Sequence, residues 1–399
     1  MNILGYLALA AAVSLAIKWL THRIGMPIVT GYVLVGIFLG ISLIGVFHTE
    51  VLDRMGIIND FALGIIGFTI GAELRREVFR KLGKSILLIA LLESVLTFVI
   101  VTVSISLLMP SKIYLAFILG AVASATAPAA TVHVIQQYKA KGPLTSTVLA
   151  VVGIDDAFAL MIYVFVSAVV KGMLKSQDVP LFRTLMMPAF EIGLSIAVGI
   201  SVGIAFVYIF RKIRYSDDLL LGTAGALLAL MAVSQTYHLS GLLAAMAFGT
   251  MVSNMDVNLI RRSAKVLENV SPLIFAFFFI FAGAHLDAGL FPVIGLTGLV
   301  YLLSRITGKI AGASLGALIG KALPQVRKYV GMTLIPQVGV ALALAIMVRH
   351  EFAGGKYGEI GDHIAVVVIN VLLFTTVITE IVGPLLTKRA LTKARERQA

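Results

Sequence analysis

The chain has 399 residues, of which 59% are apolar and 13% charged, with a formal net charge of +12. Soluble domains carry about 25% charged residues, and here the apolar residues gather in stretches of roughly 20, the length that crosses a bilayer as helix. A soluble enzyme, a disordered chain and a fibrous one are therefore excluded, and the expected fold is an all-α polytopic membrane protein. Cysteine is absent, which removes disulfides and thiolate chemistry. The positive balance is explained by loop charges that set orientation, so no nucleic-acid partner is expected.

Hydrophobic runs and the polar breaks between them predict thirteen spans in chain order: 3–20, 24–47, 57–73, 85–108, 113–137, 143–170, 184–210, 218–235, 239–255, 266–284, 289–320, 328–348 and 363–387. No basic residue precedes Lys18, so the apolar start lacks the charged leader of a secretory signal and reads as a retained first helix. The polar gaps are too short for a soluble domain. Loops after odd-numbered spans hold most basic residues, including Arg75, Arg76, Arg80, Lys81, Lys84, Arg211, Lys212, Arg214, Arg261, Arg262 and Lys265, with more in the tail from Lys388 to Arg397. Loops after even-numbered spans hold only Arg54, Lys112, Lys171, Lys175, Arg183, Arg349 and Lys356. The positive-inside rule then predicts a cytoplasmic C-terminus and an external N-terminus. Arg305 and Lys309 belong to neither set, because both lie inside the eleventh span.

Three landmarks recur about 210 residues apart. Gly71-Ala72-Glu73-Leu74 matches Gly283-Ala284-His285-Leu286, the small-residue run from Gly31 matches that from Gly241, and Pro128 matches Pro336. The offset corresponds to seven spans, an odd number, so the second copy enters from the opposite face. Spans 1–6 and 8–13 are expected to be inverted six-helix repeats joined by span 7, an architecture typical of secondary transporters. Such proteins place their site at interrupted helices in equivalent positions. Spans five and twelve qualify: Ser124-Ala125-Thr126-Ala127-Pro128 carries a mid-span proline, and Pro336-Gln337-Val338-Gly339 a proline followed by a glycine. Proline removes an N–H donor and disfavours helix at the preceding residue, so two crossed broken helices are expected, with freed carbonyls able to bind a cation.

Span six contains Gly153-Ile154-Asp155-Asp156-Ala157. A carboxylate at the bilayer centre costs about 2.5–3.5 kcal/mol on insertion scales, and two adjacent ones have no evident structural benefit. Neighbours on a helix point about 100° apart, so one can face a water-filled cavity while the other reaches an adjacent helix. The same oxygens bind a proton or a metal cation, so these acids are candidates for exchanging one for the other. Lys309 is the expected counter-ion to one of them; twelve residues of helix, about 18 Å, separate it from Lys321 at the span's end, too far to snorkel. Arg305, one turn earlier, is expected to pair elsewhere or to approach the interface. Gly308, Gly312, Gly316 and Gly320 form a small-residue row beside Lys309, the pattern of close helix packing. Glu93 in span four is a further candidate, ahead of Glu191 and Glu380; His133, His285 and Trp19 read as plain polar or interfacial neighbours.

On these residues the sequence resembles the monovalent cation:proton antiporter superfamily, specifically the NapA-type members of its second family. The resemblance runs from the first span to the last and is most specific at Gly153–Ala157, Ser124–Thr131 and Lys309. It implies a core domain, about 57–170 and 266–387, moving against a dimerisation scaffold, about 1–47 and 184–255, in a homodimer of an inner (plasma) membrane. It also implies Na⁺ at Asp156 as main carrier, Asp155 paired with Lys309 when no ion is bound, and Thr126 near the ion. The branch it resembles exchanges two protons for one sodium. Many relatives carry Arg-Gly-Glu after the span-twelve proline, where this chain has Gln337-Val338-Gly339, so an acidic partner is missing. No nucleotide-binding domain, such as the glutathione-gated potassium efflux systems carry, is expected.

The function expected is thus electrogenic exchange of Na⁺ or Li⁺ for H⁺, the ions being cargo and no cofactor being required. K⁺/H⁺ exchange by the same machinery is the alternative. An intramembrane aspartyl protease is disfavoured, because its aspartates lie on different helices in a Gly-x-Gly-Asp pattern, and an ion channel by the lack of a filter-like repeat.

Overall fold

A computed structural model describes residues 3–24, 28–41, 43–76, 83–175, 181–213, 215–237, 239–285, 289 and 291–396. Arg80, Lys81, Arg214, Leu286 and Arg397, used above in the charge and repeat arguments, lie outside the described residues. The regular elements of the described residues are helices: α1 Ile3–Ile24, α2 Ile28–Leu39, α3 Thr49–Arg54, α4 Gly56–Glu73, α5 Gly83–Leu108, α6 Ile113–Ala123, α7 Pro128–Gln137, α8 Pro143–Lys175, α9 Leu181–Phe210, α10 Ser216–Thr236, α11 Gly241–Met255, α12 Val257–Leu267, α13 Ser271–Ala284, α14 Phe291–Ile319, α15 Pro324–Tyr329, α16 Val340–Phe352 and α17 Gly358–Lys393. Among the described residues, 8 helices are long and apolar enough to cross a membrane, namely α1, α4, α5, α8, α9, α10, α14 and α17. A further pair, α12 and α13, meets that test jointly across a 60° bend. Helix is the only way an open chain satisfies its backbone in hydrocarbon.

Several predicted spans are subdivided. The fifth becomes α6 and α7, separated by the unwound Ser124–Ala127, and the twelfth becomes α15, a 3-10 turn at Val330–Thr333, an extended stretch and α16. The second span ends as helix at Leu39, well short of residue 47. The tenth is preceded by α12, an amphipathic helix that supplies its own polar break and bend.

The chain forms two compact units. One comprises Met1–Leu52, Leu82–Val166 and Phe279–Ala399, the other Asp53–Lys81 and Ser167–Phe278. In the first, α14 lies along α5 with its glycine row against backbone: a Cβ on Gly308 would stand 2.6 Å from the Thr97 Cα, and one on Gly312 2.6 Å from the Glu93 Cα. In the same unit Gly36 of α2 packs on the Ile280 carbonyl of α13, and Gly283 of α13 on the Val33 carbonyl of α2. In the second unit the counterpart contacts join α4 and α11: Gly249 packs on the Phe68 carbonyl and Gly71 on the Met246 carbonyl. Its core is aromatic around Phe68, Phe206 and Phe248. The predicted transport and scaffold ranges are functional divisions, which packing within either unit does not test.

Candidate functional site

The two interruptions meet. The Ala127 N–H donates to the Pro336 carbonyl at 2.9 Å, and the Thr131 hydroxyl donates to the Thr333 carbonyl at 2.7 Å, so the unwound stretches touch at the crossing. Proline opens each break differently. Pro128 stands at the first position of α7, where its missing N–H is no loss. Pro336 lies within the extended run before α16, backed by Gly383 of α17, where a Cβ would come within 2.5 Å of the proline ring. Gly339, preceding α16, takes φ +71, a left-handed conformation that favours glycine.

Each break exposes carbonyls with no helical partner, and a buried cation answers them. Arg305 of α14 is fully buried. Its guanidinium donates to the Ala123 carbonyl at 3.1 Å and the Ala125 carbonyl at 2.9 Å on the first break. On the second it reaches the Ile335 carbonyl at 2.6 Å and the Pro336 carbonyl at 3.4 Å. Of the two expectations for Arg305, approach to the interface fails: its fork geometry holds both broken strands from inside.

One turn further along α14, Lys309 is also fully buried. Its ammonium donates to Glu93 Oε2 at 2.6 Å, to Thr126 Oγ1 at 2.7 Å and to the Ser124 carbonyl. An ammonium has three protons, and these three acceptors use them all. Asp155 Oδ2 stands 3.8 Å away, an ion pair without a hydrogen bond. Lys309 thus faces the carboxylate predicted for it, but its short contact is with Glu93. Asp155 is fully buried on α8, with Oδ1 accepting from the Ser94 hydroxyl at 3.0 Å and Oδ2 lacking a hydrogen-bond partner. Asp156, the next residue, is only half-buried, as the 100° step predicts.

Ser94 is the residue that sequence reading missed. Its hydroxyl lies 2.9 Å from Glu93 Oε1 as well as 3.0 Å from Asp155 Oδ1, so one proton serves two carboxylates in turn. The only signal was its position beside Glu93. Ser124 donates its own hydroxyl to the Ser94 carbonyl at 3.0 Å, tying the first break to α5. Gln337 is buried, its side-chain amide donating to the Tyr301 hydroxyl at 2.7 Å while its backbone carbonyl accepts from the Thr376 hydroxyl at 2.7 Å. Glu380, ranked low from sequence, is buried and accepts from the Thr30 hydroxyl at 2.8 Å. Of Pro128 only the backbone is described.

The cluster unites Glu93, Ser94, Ser124, Thr126, Asp155, Arg305 and Lys309 from four elements. Two carboxylates face the Lys309 ammonium, while the Arg305 guanidinium one turn away is committed to main-chain carbonyls, and Asp155 Oδ2 is the carboxylate oxygen left for a proton or a metal cation. The chain is 21% identical over 368 residues to the probable Na⁺/H⁺ antiporter 2 of Methanocaldococcus jannaschii, covering 87% of this chain and 85% of that protein. The solved structure of the sodium proton antiporter MjNhaP1 from the same organism at pH 8 superposes with a TM-score of 0.77 at 17% identity, covering 98% of both chains. An electron-microscopy structure of MjNhaP1 gives 0.76, also at 17% identity, covering 98% of this chain and 97% of that one. That likeness establishes the fold. Residues 9–393 match the family described as sodium/hydrogen exchanger, transmembrane, and the chain belongs to that family, an integral membrane family of exchangers.

Proposed function

We propose that the protein exchanges Na⁺ (or Li⁺) for H⁺ across the membrane by alternating access, with Asp155 and Asp156 as competing proton and cation carriers. The observation that carries this reading is the bonding of Lys309. All three ammonium protons are committed to Glu93, Ser124 and Thr126, which leaves the buried Asp155 Oδ2 without a hydrogen-bond partner. A buried carboxylate oxygen in that position needs a proton or a metal ion. Asp156, adjacent and half-buried, is the carrier that meets ions arriving from water. Membership of the exchanger family supports the same conclusion.

Exchange of two protons for one sodium would move one net charge, worth about 2.3 kcal/mol per 100 mV, so the membrane potential alone would drive sodium out. The adjacent aspartates support that stoichiometry by offering two proton sites. An inverted repeat is supported by the paired glycine contacts, Gly36 on Ile280 and Gly249 on Phe68, which recur at a common offset. A homodimer in an inner membrane with a cytoplasmic C-terminus is the assembly that the family resemblance and the loop charges support.

The test is a cation screen in proteoliposomes with an internal pH dye. Wild type should respond to Na⁺ and Li⁺, and Asp156→Asn should abolish the response. Lys309→Gln should retain exchange but lose the charge movement. Normal rates in Asp156→Asn would refute the carrier assignment, and a response to K⁺ alone the cation assignment.

A further inference from the structure

The helix that carries the aspartate pair begins without a cap of its own. Gly142, which precedes α8, has no side chain, and Pro143 opens the helix. A helix start leaves N–H groups that need acceptors, and Ser, Thr, Asp or Asn usually supplies one. Here the acceptor comes from more than two hundred residues away. Glu396, in the turn after α17, is only 4% exposed. Its Oε1 accepts from the Leu144 N–H at 2.7 Å, and its Oε2 from the Thr145 N–H at 2.7 Å and the Thr145 hydroxyl at 2.8 Å.

The surroundings are shaped to this carboxylate. A Cβ on residue 142 would fall 2.3 Å from the Glu396 Cδ, so the glycine leaves the space that the acid fills. Arg395 adopts φ +60, a region disfavoured for any residue with a side chain, at the turn that brings Glu396 inward. The Lys141 N–H donates to the Glu396 carbonyl at 3.0 Å, and Gln325 Nε2 of α15 lies 3.5 Å from Oε1. Below the cap, Ala390, Leu391 and Ala394 share one apolar cluster with Leu144 and Val148 of α8 and with Val326, Val330 and Leu334, the segment that enters the second break.

We propose that Glu396 is a positioning residue for ion exchange: its carboxylate caps α8 and fixes the height and rotation of Asp155 and Asp156 relative to the segment leading into the second break. The argument is mechanical. Asp155 is eleven residues from Leu144, about 16 Å along a continuous helix, so displacement of the first turn is transmitted to the pair. The anion also complements the positive end of the helix dipole. Loss of the cap lets α8 shift and alters the distances between Asp155, Ser94 and Lys309. This inference rests on the exchange reading above and adds to it a residue outside the membrane-spanning segments.

The experiment compares wild type with Glu396→Gln, Glu396→Asp and Glu396→Ala in proteoliposomes, titrating Na⁺, with hydrogen exchange followed at Leu144 and Thr145. In Glu396→Ala both amides should lose protection, and the sodium concentration for half-maximal flux should rise about fivefold, the size of a lost helix cap. Maximal flux should change less than half-saturation. Glu396→Gln keeps length and one oxygen acceptor, so it remains folded and falls between the two. Glu396→Asp, one methylene shorter, should recover less than Gln if reach matters. Unchanged half-saturation in the Gln and Ala variants despite deprotected amides makes the cap structural only and overturns the proposal. Unaltered amide exchange overturns it as well. Absence of sodium-driven flux in wild type would instead sink the exchange reading itself.

Discussion

Lys309 and Glu93 meet at 2.6 Å because the glycines around Lys309 bring the backbone of α14 onto that of α5. Without Gly308 and Gly312 the two helices would stand further apart, and the contact between Lys309 and Glu93 would be lost. The ammonium is thus shared between α5, the first break and, more distantly, α8. Under the exchange mechanism proposed above, that sharing would set how strongly Lys309 competes with an arriving cation for Asp155.

Glu93→Gln tests the sharing. The substitution keeps size and an oxygen acceptor but removes the charge nearest Lys309, so Asp155 becomes the only carboxylate facing the ammonium. Sodium must then displace a more tightly held lysine. The half-saturating Na⁺ concentration should rise about tenfold, equivalent to about 1.4 kcal/mol. A sodium titration of flux in proteoliposomes reads this directly; an unchanged or lower value would mean that Glu93 has no part in holding Lys309.

Much of this site was legible in the sequence, and the reasons differ by residue. Asp155, Asp156, Lys309 and Arg305 declared themselves because charge inside an apolar run is costly and so needs an explanation. The two breaks were legible from Pro128, Pro336 and Gly339 because backbone chemistry at those residue types is local. Arg305 was found as a residue but not by role, since its partners are main-chain carbonyls, which every sequence has everywhere. Glu93 stood as one candidate among several: a single acid in α5 has no spacing pattern, and its importance arises only when the glycine row sets the approach of α14. Glu396 was invisible for a similar reason, because a cap supplied across the fold has no local motif. The second span, read to residue 47, ends as helix at Leu39, since apolarity continues through Ile41, Leu43 and Ile44 after the helix has stopped.

Arg305→Lys should weaken the crossing. A guanidinium reaches four carbonyls on two strands, whereas an ammonium on a shorter stem is a point donor that cannot span both breaks. At least one carbonyl on each strand loses its partner, at about 1–3 kcal/mol apiece. The thermal midpoint in detergent should fall clearly, and exchange should slow even at saturating sodium because the crossing loses its geometry. A midpoint equal to wild type would argue that the strands hold each other without the arginine.

Thr126→Val removes the hydroxyl that accepts from Lys309 at 2.7 Å while keeping the shape. One ammonium proton is left without an acceptor in a dry site, a loss of about 1.5–3 kcal/mol for a hydrogen bond to a charged group. The freed proton has Asp155 as its nearest alternative, so apparent sodium affinity should drop along with thermal stability. Thr126→Ser retains the hydroxyl and should restore both. If the serine variant fails as badly as the valine one, the methyl group rather than the hydrogen bond matters at this position.

Gly312→Ala addresses the helix contact on which the lysine–glutamate pair depends. The added Cβ would stand 2.5 Å from the Leu92 carbonyl oxygen and 2.6 Å from the Glu93 Cα, and backbone atoms cannot rotate aside. The helices must separate, and the 2.6 Å contact between Lys309 and Glu93 lengthens with them. Gly295→Ala on the same helix is the control, because a Cβ there meets nothing within 4 Å. By helix propensity alone each alanine should stabilise α14 by about 1 kcal/mol, so the two variants should move thermal stability in opposite directions. Sodium half-saturation should rise in Gly312→Ala and stay at the wild-type value in Gly295→Ala. Matching behaviour of the pair would show that close approach of α14 and α5 does not govern the competition at Asp155.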